Sequence, residues 1–183
     1  MARNVGLLFR NNSISKRRSK RKTKQRESFD YDAALSFSGK DRKLAGSIAR
    51  EAKRLGLRIF YDRDNKAFMW GKSERVYHDV YGRQSRTVVP IVSVNYLDCE
   101  IARFEYDIAK QEAPNRDHEY ILPVRCDGSL LPGLVGTTGY LSAEEYNARQ
   151  IALLLKEKLS QLLDRDQPNC NGPVPFQHAD ERL

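Results

Sequence analysis

Tyr31-Asp32-Ala33-Ala34-Leu35-Ser36-Phe37-Ser38-Gly39-Lys40-Asp41 is the stretch whose reading decides the fold. Tyr31 to Phe37 is a short, mostly apolar run suited to a buried strand, and Ser38 to Asp41 closes it with turn formers. Leu44, Ala45, Ile48, Ala49, Ala52 and Leu55 then recur at helical spacing, with Asp41 placed as N-cap and Gly56 as the stop. A strand followed at once by an amphipathic helix is the first half of a βαβ unit.

The same alternation continues downstream. Leu57 to Asp62 reads as a second strand, and the polar stretch from Arg63 to Lys72, containing Trp70-Gly71, reads as a long loop of the kind that carries function. A helix starting at Ser73 sets Val76, Tyr77, Val80 and Tyr81 on one side and ends near Gly82. Thr87-Val88-Val89-Pro90-Ile91-Val92-Ser93 is the β-branched run of a strand covered on both faces, although Pro90 has no ladder hydrogen to donate. Ile101, Phe104, Ile108 and Ala109 mark another helix, with Arg103 and Asp107 expected to pair on its wet side. Tyr120 to Val124 is a fourth strand and Gly139 to Leu141 a short fifth. Ile151, Leu154, Leu155, Leu159, Leu162 and Leu163 stripe a terminal helix beginning after Ser142, with Glu145 at capping-box distance.

Right-handed crossovers between such strands predict an α/β fold: a flavodoxin-like three-layer sandwich, its five-stranded parallel sheet covered by helices on both faces. Binding crevices in these sheets lie at the carboxyl ends of the strands, which gathers Ser36-Phe37-Ser38, Asp62 with its loop, and Ser93 through Tyr96. The expected organisation is a basic disordered arm over 1–28, one domain over 29–165, and a loose C-terminal tail over 166–183.

Charge follows that division. The 183-residue chain carries a formal charge of +8, yet residues 1–26 hold ten Lys or Arg and no acid, so the remaining 22 bases and 24 acids leave the rest at −2. A basic recognition groove in the folded part is therefore not expected. Three widely spaced cysteines, Cys99, Cys126 and Cys170, form no metal-ligand pattern and suggest reduced thiols in a cytoplasmic protein. Val5 to Phe9 is too short for a secretory core or a membrane span, and the dense Lys/Arg block after it lacks the apolar periodicity of a transit peptide.

Several chemistries drop out. Gly71-Lys72-Ser73 resembles the end of a phosphate-binding loop, but Lys66 stands where that motif needs glycine. His78, His118 and His178 are too scattered for a ligand cluster, no Gly-x-Ser-x-Gly occurs, and Asp62 lacks the companion carboxylates of a receiver domain.

The opening strand and box from Tyr31 to Asp41 resemble those of Toll/interleukin receptor (TIR) domains. Leu57 to Asp62 is similar to that family's second strand, Trp70-Gly71-Lys72-Ser73 to the end of its BB loop, and Ser85 to Tyr96 to its third strand with a Ser-x-x-Tyr ending. Many members cleave NAD between nicotinamide and ribose, using a glutamate four residues after a tryptophan on the next helix. Ile101-Ala102-Arg103-Phe104-Glu105 falls on that spacing, so the resemblance implies Glu105 as the catalytic residue, with Ile101 in the tryptophan's place.

The residues support this from their own positions. Glu105 borders the apolar stripe of its helix, either as a half-desolvated carboxylate able to act on substrate or as an edge residue reaching for water. Nicotinamide is a good leaving group, so one carboxylate near an oxocarbenium-like ribose suffices, without metal or cofactor; NAD is the substrate. Phe37 and Trp70 are candidate platforms for the pyridine ring, Trp70 being equally suited to packing its own loop. Ser38, Asp62 and Tyr96 complete the candidate binding set, Ser38 and Asp62 being also able merely to satisfy turns. The resemblance further implies a homo-oligomer in which the BB loop of one copy completes the next copy's pocket, a product that is ADP-ribose or a cyclic isomer, and a role in host defence. The alternative is a non-catalytic module that recruits other TIR domains in signal transduction.

Lys16 to Arg26 is either a bare tail or an electrostatic tether to nucleic acid or anionic membrane. For a tether, deleting residues 1–26 removes salt-sensitive binding to DNA or anionic vesicles, as read by titration at two ionic strengths; unchanged weak binding leaves only a tail.

Overall fold

Strand β1 (Tyr31–Phe37) lies inside the sheet because most of it is apolar, and Ala33, Ala34 and Leu35 are fully buried. The computed structural model describes residues 28–65, 70, 71, 73–134 and 139–165. The expected basic arm up to 27, residues 66–69 and 72 of the expected BB loop, and the tail from 166 with Cys170 and His178 lie outside the described residues.

β1 pairs in parallel with β2 (Ile59–Phe60) on one side and with β3 (Ser85–Val92) on the other. β4 (Val124–Arg125) and β5 (Leu141–Ser142) complete an all-parallel sheet of order β2-β1-β3-β4-β5, the expected flavodoxin-like layout. Alternation along β1 and β3 sorts their side chains between two cores. Ala33, Leu35, Val89 and Ile91 face α1 (Arg42–Arg54) and the terminal helix. Ala34 and Val88 face the other layer, where Val80, Tyr81 and Ile108 pack. By the same parity Ser36, wholly buried, is directed to the second layer.

α1 ends as expected. The Leu55 and Gly56 amides return to the last turn, and Gly56 takes a φ of +88°, which costs glycine little. Its start differs from expectation: Asp41 makes no cap hydrogen bond, and its carboxylate instead accepts from Ser93 Oγ at 2.6 Å and Asn95 Nδ2 at 3.4 Å. Asp41 therefore ties the end of β1 to the end of β3.

Other boundaries shift for identifiable reasons. β2 is shorter than Leu57 to Asp62 because the Arg58 amide is taken by the Asp32 carboxylate at 2.8 Å rather than by a ladder. The helix expected from Ser73 to Gly82 is a short α2 (Glu74–His78) opening into a π-helical turn (Asp79–Gln84), which lets Val80, Tyr81 and Gly82 be buried in succession. Past α3 (Val94–Leu97) runs α4 (Glu100–Glu112). The β3–β4 ladder breaks at Pro90, which has no amide hydrogen: Val88 bonds Tyr120 and Leu122, and pairing resumes only at Val124. β4 is consequently displaced from the expected Tyr120 to Val124, and β5 from Gly139 to Leu141.

The terminal helix α5 (Ala148–Arg165) packs along α1 and starts later than Ser142. Asn147 Oδ1 accepts from the Arg149 and Gln150 amides at 3.1 Å, and Gln150 Oε1 accepts from the Asn147 amide at 3.0 Å, so the capping box is Asn147 with Gln150. Among the described residues no helix is long and apolar enough to cross a membrane.

Asn147→Ala is expected to destabilise the domain by about 1 kcal/mol in urea titration, whereas Glu145→Ala changes it by only a few tenths. The opposite ranking would return the cap to Ser142 and Glu145.

Candidate active site

Glu105 lies on the buried face of α4, between Ala102 and Ile108, and is 7% exposed. The helix presents Ala102, Glu105, Tyr106, Ile108 and Ala109 inward. Ile101, read from sequence as part of that stripe, is turned outward and is 58% exposed. Asp107, expected to pair with Arg103, bonds Lys110 at 2.9 Å.

The carboxyl meets the carboxyl end of β1 at the boundary between β1 and β3, where the strand order reverses. Hydroxyls from three elements gather there. Ser36 Oγ and Tyr96 Oη are 2.8 Å apart, and Tyr96 Oη donates to the Ala102 carbonyl at 3.0 Å. Tyr81, brought inward by the π turn, donates from Oη to the Leu35 carbonyl at 3.0 Å. Tyr120 braces that turn by donating to the Tyr81 carbonyl at 2.8 Å.

Loss of water pushes the Glu105 carboxyl from 4.5 up to about 8, with the Ser36 and Tyr81 hydroxyls drawing it partly back and the negative Asp62 raising it further. Burial also holds the Tyr81 and Tyr96 phenols well above their ordinary value, and Tyr77 is raised by burial and by Glu105. Asp62 is held by Arg42 through two bonds of 2.9 and 3.0 Å.

The remaining expected residues distribute around this carboxyl. Phe37 stacks on Tyr61 at 5.4 Å under the Arg42 guanidinium, 5.2 Å from the ring centroid. Ser38 is buried and caps the following turn by accepting from the Lys40 amide. Tyr96 is fully buried, so it stands behind the site and supports Ser36. Trp70 is 89% exposed and offers no platform to Glu105 within one copy.

Of the two residues beside the carboxyl, Ser36 is gathered at the crevice by its strand-end position but given no role from sequence, and Tyr81 is given none either. The signal for Ser36 was a lone hydroxyl within an otherwise apolar strand; Tyr81 read as an ordinary member of an apolar stripe. A separate groove of about 370 Å³ between β4, β5 and α5, lined by residues such as Leu122, Tyr140 and Leu154, lies on the opposite face of the sheet. Its lining is mostly apolar, with Glu157, Lys158 and Gln161 also on it, and it lies across the sheet from Glu105.

The raised value has a consequence for stability. The fold binds the Glu105 proton more tightly than the unfolded chain, so this stabilisation is complete below 4.5 and lost as pH rises through about 8. The full effect is on the order of 5 kcal/mol, at ~1.4 kcal/mol per pH unit. Glu105→Gln stays neutral and should lack this decline when urea titrations at pH 5 and pH 9 are compared. Equal declines in both proteins would mean that the carboxyl ionises as easily in the fold as in water.

A family profile described as "TIR domain" matches residues 34–160. The chain is 34% identical over 133 residues to the 3' cyclic ADP-D-ribose synthase AaTIR of Aquimarina amphilecti, covering 72% of this chain and 41% of that protein. It is 31% identical over 106 residues to the NAD(+) hydrolase TirS of Staphylococcus aureus (strain MSSA476), covering 57% of this chain and 37% of that protein. The match thus spans about two fifths of the length of these curated relatives. In fold the chain is similar to the TIR domain of the Toll-related receptor TRR-2 from Hydra magnipapillata, with a TM-score of 0.52 at 16% identity, covering 74% of this chain and 97% of that one. With its parallel sheet in flavodoxin-like order and a family match over most of its described length, the chain belongs to the TIR-domain family.

Proposed function

We propose that this domain is an NAD nucleosidase, breaking the bond between nicotinamide and ribose to give nicotinamide with ADP-ribose or a cyclic isomer, in defence signalling. The observation that carries the reading is the Glu105 carboxyl, enclosed at the strand-order reversal among hydroxyls. The activities named for AaTIR and TirS support it.

The chemistry asks little of the protein beyond electrostatics. As the C1′–N bond breaks, its electron pair neutralises the pyridinium nitrogen and leaves positive charge on the ribose. Carboxylate Glu105 stabilises that charge, the stabilisation being strong because water is excluded. Water adds to C1′ and releases a proton to give ADP-ribose; attack by a ring nitrogen of the substrate's adenine, or by a hydroxyl of its adenosine ribose with loss of the hydroxyl proton, gives a cyclic product instead. An approaching pyridinium also favours the ionised form of the acid, against the burial that opposes it.

The site is assembled between copies in this proposal. Trp70, at the end of the loop following β2, is exposed on its own domain, and in this reading it serves as the pyridine platform of a neighbouring copy. Phe37, beside the strand end, and Asp62 with Arg42 border the ribose and phosphate side.

Concentrated protein incubated with NAD should release nicotinamide, detected by chromatography, at a rate per molecule that rises with protein concentration. Glu105→Gln should reduce release about 100-fold or more. No release from the wild type at high concentration, or equal release from both proteins, would leave the non-catalytic assembly module as the better reading; outward-facing Ile101, where the family pattern has tryptophan, is the feature that favours it.

A further inference from the structure

The chain beyond residue 26 has a slight excess of acid, 22 bases against 24 acids, yet one groove on it is strongly basic. On α1, Arg50, Lys53 and Arg54 stand at i, i+3 and i+4, which sets them on one face of the helix with neighbouring Cβ atoms about 5–6 Å apart. The turn after β2 (Asp62–Asn65) adds Arg63 from the other wall of the groove, whose volume is about 610 Å³. Four bases and one acid, Asp64, line it, a net of +3. That size suits a small ligand rather than a flat macromolecular surface.

The floor of the groove is built. Tyr61, 5% exposed, reaches α1 at Gly46, where an added Cβ would meet its hydroxyl at 2.9 Å. Glycine inside a helix costs about 1 kcal/mol relative to alanine, so α1 gives up stability where Tyr61 needs room. The Tyr61 ring stacks on Phe37, and Asp62, the next residue, is held by Arg42. The groove therefore adjoins the candidate active site without including its carboxyl.

Local pairing accounts for part of the positive charge. Lys53 Nζ meets Asp64 at 2.6 Å, and Arg54 meets Glu51, outside the groove, at 2.6 Å. Cations in the last turn of α1 also suit the helix dipole, which explains Lys53 and Arg54. It does not explain Arg50, a turn earlier, or Arg63, on another element. Arg50 donates to the neutral Ser47 hydroxyl at 3.3 Å, and among the described residues neither Arg50 nor Arg63 meets a carboxylate within ion-pair distance.

We propose that this groove is a binding site for a diphosphate-bearing small molecule, held by Arg50 and Arg63 from its two walls with Lys53 and Arg54 beside them. A guanidinium offers paired N–H donors that match two oxygens of one phosphate, so arginines on two walls suit two linked phosphates better than one. Asp64 opposes any anion, and Lys53 already offsets it. The site goes beyond NAD cleavage and does not rest on it.

Full-length protein with ¹⁵N-labelled arginine is titrated with inorganic pyrophosphate, and the side-chain Nε signals of Arg50 and Arg63 are followed by NMR, each identified by its loss in Arg50→Gln or Arg63→Gln. Both signals should move with one dissociation constant, which weakens as salt is raised. Each substitution should weaken binding about tenfold, the loss of one charge-assisted contact, and orthophosphate should bind about tenfold more weakly than pyrophosphate. Both arginines are exposed, so the melting temperature should not change. The ten bases of residues 1–26 also attract pyrophosphate, but Arg17→Gln should leave the Arg50 and Arg63 titrations as they are.

Shifts confined to the first 26 residues or to Arg42, equal affinity for orthophosphate and pyrophosphate, or wild-type affinity in both groove variants would overturn the proposal. ADP in place of pyrophosphate separates the sources of the ligand: comparable or tighter binding assigns a nucleotide, binding of pyrophosphate alone assigns an inorganic anion, and binding of neither overturns the site. Glu105→Gln should bind pyrophosphate as the wild type does. The expected titrations without NAD cleavage would refute the enzyme and keep the groove; nicotinamide release lost in Glu105→Gln, with Arg50 and Arg63 unmoved by pyrophosphate, would do the reverse.

Discussion

A carboxyl group taken out of water has to be neutralised or met by polar atoms, and the inner layer of this domain is arranged around that requirement. β1 contributes Ser36, the π turn Tyr81 and α3 Tyr96, while α4 carries the acid. The arrangement depends on the register of β1 against β3, in which Ser36 stands opposite Pro90. Sliding β1 by one residue would bring Leu35 beneath the carboxyl and push the Ser36 hydroxyl into the apolar core between the sheet, α1 and α5. Asp41, which bonds Ser93 instead of capping α1, fastens the two strand ends where that register matters most. About 1 kcal/mol of helix-cap stabilisation is exchanged for a fixed crevice.

The order of elements could be read in the sequence because it depends on apolar periodicity, which survives tertiary contact. β1, the α1 stripe and its stop at Gly56, and the broad burial of β3 all follow from residues within one or two turns of each other. The details that shape the site depend on partners far along the chain. Asp41 is a reasonable cap locally, but Ser93, 52 residues away, competes for it. Three successive buried residues, Val80 to Gly82, contradict an α-helical stripe and require the π turn, yet only a neighbouring α4 makes their burial worthwhile. Pro90 was visible as a missing donor; that it would displace β4 was not, since the place where pairing resumes is set by the partner strand.

Glu105 shows the limit most clearly. Helical spacing placed it at the margin of the apolar face with Ile101 inside, and the helix is in fact rotated so that Glu105 is enclosed and Ile101 faces out. Hydrophobicity alone favours the opposite rotation. What reverses it is the set of hydroxyls on the facing elements and the close packing allowed by Ala102 and Ala109, both fully buried. A polar residue brought inward at the expense of an isoleucine violates local pattern, which is where function is most often found.

In the proposed NAD cleavage, an acid kept neutral by burial in the empty site and ionised by a bound cation would make catalysis economical. A permanently ionised carboxylate in this enclosure would destabilise the fold whether or not substrate were present. A neutral acid avoids that cost, and the interaction with positive charge develops only once a cationic ring and a cationic ribose are in place. Asp62 sharpens the contrast: its charge disfavours ionisation of Glu105 in the absence of substrate, yet it adds to the attraction for any cation that enters between them. The binding energy of such a cation is then divided between deprotonating the acid and stabilising the ribose.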